Sequence, residues 1–579
     1  MTGDGRTERF DAVVVGSGFG GSVSAYRLAE AGQRVCLLER GKPYPPGSFA
    51  RTPGEMRTNF WDPVRGLFGL FDLWSFRGLN ALVSSGLGGG SLIYANVLLR
   101  KDEDWFVQED LDRGGLEYWP VNRADLDPHY DRAEAMLAPQ RYPLDHEPYR
   151  STPKTREFRA VAEKKGYDWF LPNLAVTFGV DGRDPVPGEP IPEDHPNLHG
   201  RTRTTCRLVG ECDIGCNYGA KNTLDYNYLT EAQRQGAEIR TRSEVRVIEP
   251  LDRGGYRVHY IHYDPAREGE PMDIFAPAAA RHVLECDRLI LAGGTLGTVR
   301  LLLRNRAAFP RLSDRLGTRF CGNGDLLAFA YRSSRQENGK TVPRVIDPSF
   351  GPVITSTIRF ADELDGGEGR GFYIQDAGFP TFATWILQLA EMPADLWHWR
   401  GEAFRFGRER LMRGYRHTGR SAAFAALMGS AAVSSTLLPL LAMGRDVPDG
   451  RMYLHGNHLR VDWRKGSATG PGPRGRSGAY FERARSVCRD IAKELGASFR
   501  DNPIWFMRRV ITVHPLGGCP MGRNPHEGVV DEWGEAFGYP GLHIADGSVM
   551  PGPVGPNPSL TIAALADRFA DGIVEGRAR

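Results

Sequence analysis

Cysteine is scarce in this sequence: eight among 579 residues, five of them isolated. That excludes a disulfide framework and suits a reducing cytoplasm. Net charge is nearly absent too. With 73 Lys and Arg against 71 Asp and Glu, the formal charge is +2, so no global field would recruit nucleic acid. The opening MTGDGRTERF has no apolar run, and no secretory signal is expected. No repeat with a period of roughly 20–50 residues is present, which argues against a solenoid or propeller. Glycine (70) and proline (40) are plentiful, which implies many tight turns and long irregular connections. With 41% hydrophobic and 25% charged residues, the composition is that of a soluble globular protein. Its length asks for two or more domains.

The first motif is near the start. Residues 10–16, FDAVVVG, are a short β-branched run of the kind found in buried parallel strands. GSGFGG follows, placing Gly16, Gly18 and Gly21 at G-x-G-x-x-G spacing. GSVSAYRLAEA then reads as a helix and QRVCLLER as a second strand ending at Glu39. Gly16 permits the turn, Gly18 lets backbone approach a pyrophosphate, and Gly21 lets helix and strand pack closely. The helix N-terminus faces the phosphates, and Glu39 stands where an acid binds a ribose diol. Phe19 and Gly20 belong to the same turn. A dinucleotide is therefore expected; the motif alone does not separate FAD from NAD.

Three further stretches bear on that choice. SSGLGGGSLI, residues 84–93, carries Gly86, Gly88, Gly89, Gly90 and Ser91 between apolar flanks, as an ordered turn against a large flat ligand would. A second glycine-rich site suits the length of FAD. RLILAGG at 288–294 is another strand ending in glycines, with a helix after it and a strand before it around Glu244–Ile248, which includes Val245. Last comes GLHIADGSVMPGPVGPNPSLTIAALADRFADGIV. Leu542–Ala545 reads as a strand ending at Asp546 and Gly547, and Asn557-Pro558 opens an apolar helix, Asn as N-cap and Pro in the first turn. The positive end of that helix would stabilise negative charge on a reduced flavin.

Together GSGFGG, SSGLGGGSL, the HPLGGC stretch at 514–519 and IADGS…GPNPSLTIAALADR resemble the glucose–methanol–choline (GMC) oxidoreductases, and within them the cholesterol oxidase branch. Residues of about 331–504 carry no such match. The resemblance implies an α/β fold: a Rossmann-like FAD-binding domain in segments 8–110, 200–325 and 508–579, with an α+β substrate domain inserted as 111–199 and 326–507. It implies oxidation of a CH–OH group to a carbonyl. His514 would orient and deprotonate the alcohol, held on rigid backbone, and Asn557 would bind its oxygen. A His–Asn pair resembles the cholesterol and choline oxidase pattern. The expected substrate is a bulky apolar alcohol such as a sterol or terpenoid, the acceptor O2 or another electron carrier. This places the chain in lipid or steroid metabolism.

Two departures stand out. The family's isomerisation glutamate falls on Gln375 in FYIQDAGFP, with Asp376 beside it, and Gln cannot act as a base. Tyr94-Ala95-Asn96 stands where the family has Asn-Gly-Gly, so Tyr94 and Asn96 would alter the flavin's near face. No His occurs between Asn80 and Arg100, and non-covalent FAD is expected.

Cys206, Cys212 and Cys216 form C-x5-C-x3-C, a spacing that resembles the three-iron-cluster region of FAD-dependent sugar dehydrogenases. A [3Fe–4S] centre, a zinc site and plain structural thiols stay open, the last favoured. Residues 404–420 hold six arginines and one glutamate, and 421–444 run uncharged. They are expected as a basic and apolar helical insertion: a hairpin over the substrate pocket, or peripheral contact with an anionic membrane by an otherwise cytoplasmic protein. A membrane span is disfavoured by the Ala, Ser and Pro content. The rival functions are a redox-silent lyase on the same fold and an electron-transfer or membrane-docking subunit.

Overall fold

The computed structural model describes residues 8–111, 113–180, 182–273, 282–380, 433–463, 476–502 and 510–577. Two sheets organise them. In the first, Glu8–Val15 is flanked by Val35–Leu38 and His282–Leu291, all parallel, and Glu238–Arg240 extends the parallel side beyond Val35–Leu38. The last turn of the His282–Leu291 strand pairs in parallel with Leu542–Ile544, while its first half pairs antiparallel with Tyr256–His262, which carries Ser243–Pro250. Ala12, Val13 and Val14 are fully buried, as the continuous apolar run requires. Strands far apart in sequence thus end at one sheet edge, beyond whose carboxyl ends α/β proteins bind ligands.

The helices Phe19–Glu30, Arg123–Leu137 and Ser559–Val574 pack on one another beside this sheet. An ion cluster clamps them. Arg27 donates to Asp567 at 2.6 Å and to Asp571 at 2.7 Å, and His129 Nδ1 lies 2.7 Å from Asp567 Oδ2.

The second sheet has six antiparallel strands in the order Asp168–Phe170, Thr357–Phe360, Phe372–Asp376, Leu438–Gly444, Leu326–Tyr331, Ser498–Asp501. The helix Gly478–Glu494 packs on its Leu326–Tyr331 strand. A smaller unit, the hairpin Phe71–Phe76 and Leu79–Ser84, is joined in parallel by Val510–Thr512. That pairing delivers the chain to His514.

Three local expectations differ from the structure. Of the apolar run expected to be helical, Leu438–Gly444 is a strand in the six-stranded sheet. An apolar run without a period reads equally as helix or buried strand. Residues 404–432 lie outside the described residues. The stretch KNTLDYNYLTEA at 221–232 reads as a helix from sequence, yet the helix begins only at Tyr228, because the Asn222 amide donates to Leu137 O at 3.1 Å and Ala138 O at 3.0 Å instead of accompanying a helix. The last helix starts at Ser559 with Pro558 in the cap position. The Asn557 side chain is engaged elsewhere. Among the described residues no helix is long and apolar enough to cross a membrane.

Candidate active site

Beyond the carboxyl ends of the parallel strands lies a cavity of about 630 Å³. One wall is the GSGFGG turn. Gly16 has φ +100°, and a Cβ there would meet Ala292 O at 2.4 Å. Gly20 and Gly21 are equally constrained, a Cβ falling 1.4 Å from Ala545 O and 1.9 Å from Gly16 O. Gly18 is the exception: nothing lies within 4 Å of its Cβ position, so its backbone faces open cavity. The second glycine stretch lies on the first. A Cβ on Gly89 would sit 2.6 Å from Gly18 Cα, and Gly88 N donates to Ser17 Oγ at 3.0 Å. Ser17 in turn donates to Glu39 Oε2 from N (3.0 Å) and Oγ (2.6 Å), and Gly41 N donates to Oε1 at 2.8 Å. These bonds fix the Glu39 carboxylate at the rim of the trough.

Gly16, Gly18, Phe19, Gly20, Glu39, Gly89, Gly90, Tyr94, Val245, Asp546, Gly547, Asn557 and Pro558 line the cavity together with His514. Gly21, Gly88, Ser91 and Asn96 stand behind it as supports. Ser91 Oγ donates to Gly88 O at 2.8 Å, and Asn96 adopts φ +70° with its carbonyl accepting from Ala175 N at 2.8 Å. The donor set fits FAD. It offers an uncapped helix N-terminus at Phe19, bare glycine backbone at Gly18, a fixed carboxylate at Glu39, and a second uncapped helix start at Ser559. Val245 lines the cavity beside the register shift of its strand.

His514 follows the Val510–Thr512 strand in a turn held by Gly517 and Gly518, both at positive φ. Its Nδ1 lies 2.7 Å from Asp325 Oδ1. The other oxygen, Oδ2, accepts from Thr512 Oγ1 (2.8 Å), Val513 N (2.8 Å) and His514 N (3.1 Å). Asp325 is 2% exposed at its side chain and His514 15%. With Oδ2 filled by three donors, Oδ1 is the atom that faces Nδ1, and this pairing assigns the ring proton to Nδ1. That leaves Nε2 as a lone-pair acceptor. Asp325 escaped sequence reading, since it stands 189 positions before His514 in an unremarkable CGNGD.

Asn557 is buried, and its Oδ1 accepts from Gln375 Nε2 at 2.8 Å. Gln375 therefore reaches the cavity only through Asn557. Asp376 does not reach it. Successive strand residues face opposite ways, and the Asp376 carboxylate is taken up by Thr355 N (3.0 Å), Ser356 N (2.7 Å) and the Thr355 hydroxyl. The remaining wall is apolar, with Leu327, Phe329, Val353, Phe379, Pro439, Leu441, Ile511 and Val513. Leu326–Tyr331 and Leu438–Gly444 are the sheet strands that supply it.

Burial pushes the Cys206 and Cys212 thiols up from their ordinary value. Their sulfurs accept from Leu208 N at 3.4 Å and Val353 N at 3.5 Å. Among the described residues the three cysteines do not form a single-ion site. The one set that gathers three ligand atoms within 4.8 Å is His129, Asp567 and Asp571, which Arg27 and Arg132 already neutralise.

The chain is similar to several known proteins. Residues 484–566, which include His514 and Asn557, match the C-terminal model of the GMC oxidoreductases. Residues 14–47 match an NAD(P)-binding Rossmann-like domain. The cholesterol oxidase of Mycobacterium tuberculosis is 29% identical over 569 residues, covering 97% of this chain and 90% of the relative. That of Acinetobacter baumannii is 27% identical over 572 residues, covering 96% and 93%. Among solved structures, pyridoxine 4-oxidase from Mesorbium loti superposes with a TM-score of 0.54 at 16% identity, covering 97% and 98% of the two chains. The comparisons give no support for an iron–sulfur cluster.

Proposed function

The chain belongs to the GMC oxidoreductases, in their cholesterol oxidase-like branch, as an FAD-dependent alcohol oxidoreductase, and we propose that it oxidises a bulky, largely apolar alcohol such as a sterol or terpenoid, with His514 as base and Asn557 as the ligand of the hydroxyl oxygen. The observation that carries this reading is the Asp325–His514 pair on the cavity wall, 2.7 Å apart. It leaves an imidazole acceptor beside the cavity that Asn557 also lines.

Bound FAD supplies the hydride acceptor for the carbinol carbon. The chain's residues do the rest. His514 Nε2 accepts the hydroxyl proton, and Asp325, already holding the Nδ1 proton, stabilises the imidazolium that results. With its Oδ1 accepting from Gln375 and one amide hydrogen directed at Gln375 Oε1 at 3.5 Å, Asn557 has its second N–H for the alcohol oxygen, where a donor stabilises the charge left as the proton departs. The apolar strands exclude water, and water exclusion strengthens both interactions. Gly89, Gly90 and the helix start at Ser559 would hold the flavin from one side, Gly18 and Glu39 the pyrophosphate and ribose from the other.

Under this reading, His514→Ala and Asn557→Ala slow anaerobic flavin bleaching by alcohol on the order of 10²–10⁴-fold while FAD stays bound. Near-normal bleaching in His514→Ala would make this imidazole merely structural. Absence of any bleaching across sterols, terpenols, aliphatic alcohols and sugars would favour a lyase. Peroxide formed per alcohol consumed separates O2 from another acceptor.

A further inference from the structure

Asp213 has no assigned part in this chemistry, yet it lines the same cavity. It sits on the short turn Cys212–Ile214, which packs against the Gly89–Leu92 turn. The turn is fixed. Lys221 Nζ donates to Cys212 O at 2.9 Å and to Leu92 O at 3.1 Å, and Val353 N donates to Cys212 Sγ at 3.5 Å. Asp213 is half-buried as a residue, and among the described residues its carboxylate has no hydrogen bond and no ion-pair partner within 4.0 Å.

Both nearby lysines are already engaged. Lys221 serves the two carbonyls just named and lies over the Tyr94 ring at 4.7 Å. Lys154 donates to Pro352 O (2.8 Å), Val353 O (2.5 Å) and Asp376 O (3.2 Å). Burial raises the Asp213 carboxyl to about 6 in spite of both lysines. Tyr94, on the same wall, has a buried hydroxyl without a partner. An acid left without a hydrogen-bond partner on a cavity wall is costly unless a ligand completes it.

We propose that Asp213 receives a second polar group of the substrate: a hydroxyl or protonated amine carried on the apolar skeleton away from the carbon that is oxidised. The proposal rests on the alcohol-oxidation reading and narrows it. The preferred substrate is then a diol or amino alcohol, anchored at one end by His514 and Asn557 and at the other by Asp213.

The test uses holoenzyme and matched substrates: steroid 3β-ols bearing hydrogen, hydroxyl or amine at C17, and 1-alkanols against α,ω-diols and ω-amino alcohols of several chain lengths. A hydrogen bond to a charged group predicts a preference of ~10–100-fold in kcat/KM for the donor-bearing members, seen mainly in KM. In Asp213→Ala the preference ratio falls to about one. In Asp213→Asn the diol preference persists in part, because the amide oxygen still accepts, while the amine preference vanishes. Equal treatment of all members by the unmodified enzyme overturns the proposal, and so does a preference that survives in Asp213→Ala. Loss of FAD, or a changed flavin spectrum in the variants before substrate is added, assigns Asp213 to the cofactor and also overturns it. If no alcohol bleaches the flavin at all, the alcohol-oxidation reading fails first.

Discussion

A single proton on His514 decides which chemistry its ring can do. In the proposed reaction a ring protonated on Nε2 would meet the alcohol as a donor and could not deprotonate it. Asp325 faces Nδ1 and assigns the proton to it, and three further bonds to that carboxylate fix Asp325 in turn. The place of His514 on the cavity wall was legible from HPLGGC and its resemblance. Its partner was not, because a contact across 189 residues leaves no local pattern. Gln375 shows the reverse: the sequence disclosed the missing carboxylate, but not the bond to Asn557. With Gln375 neutral and Asp376 facing away, isomerisation of a Δ5-3-ketosteroid to its conjugated enone should stay at the buffer rate. Enone absorbance growing well above it would require another base, and Asp213 would be the first to replace. His543 offers a test of a different kind. It is buried on the Leu542–Ile544 strand without a well-formed side-chain hydrogen bond, and burial holds its pKa down to about 4. The unfolded chain takes up this proton near pH 6.5 and the folded one only near 4. Stability is thus intact above 6.5 and lost as pH falls toward 4, by about 3 kcal/mol from this group. His543→Leu should gain relative stability between pH 7.5 and 4.5 in urea midpoints. A pH-independent difference between the two proteins would rule this out.

The strand–turn–helix at the N-terminus was legible almost residue by residue, because Gly16, Gly20 and Gly21 each answer a close backbone approach, while Gly18 leaves bare backbone on the cavity. The Phe19–Glu30 helix docks so tightly that Gly20 has no room for a side chain: the obstacle is the Ala545 carbonyl, a backbone atom that cannot swing away. Gly20→Ala must push the helix from the Leu542–Ile544 segment. It should cost about 3 kcal/mol and most of the bound FAD. Gly54→Ala is the control. Its nearest neighbour is Thr52 Oγ1 at 3.9 Å on a short surface helix, and it should be neutral or slightly stabilising. A Gly20→Ala protein that melts with the parent and keeps its colour would show that the helix sits farther from the sheet. The strands of the six-stranded sheet were illegible for a physical reason. Their partners lie far away in sequence, and a central strand such as Leu438–Gly444 is apolar on both faces, so neither alternation nor helical period marks it.

The cofactor trough draws on three separated parts of the chain. Gly16–Gly20, Glu39 and Gly89–Gly90 come from the first, Val245 and Gly293–Thr298 from the second, and Asp546–Ser559 from the third. The outer parts were legible from motifs at both ends, while the substrate wall between them was not. A ligand lying in such a trough contacts all three parts at once and binds nothing in the unfolded chain. Its binding energy therefore adds to folding, by about 2.7 kcal/mol when free FAD stands at a hundred times its dissociation constant. The link is reversible only if no bond joins flavin to protein. Among the cavity-lining residues the histidine is His514, whose Nδ1 is committed to Asp325, and no cysteine lines it. Acid precipitation should accordingly release all yellow colour to the supernatant. Protein stripped of flavin should melt below the holoenzyme, and added FAD should restore the higher transition in proportion to the logarithm of its concentration. Colour retained in the pellet would show a covalent link. An unchanged melting temperature with full FAD uptake would mean that the three parts are already locked together without the cofactor.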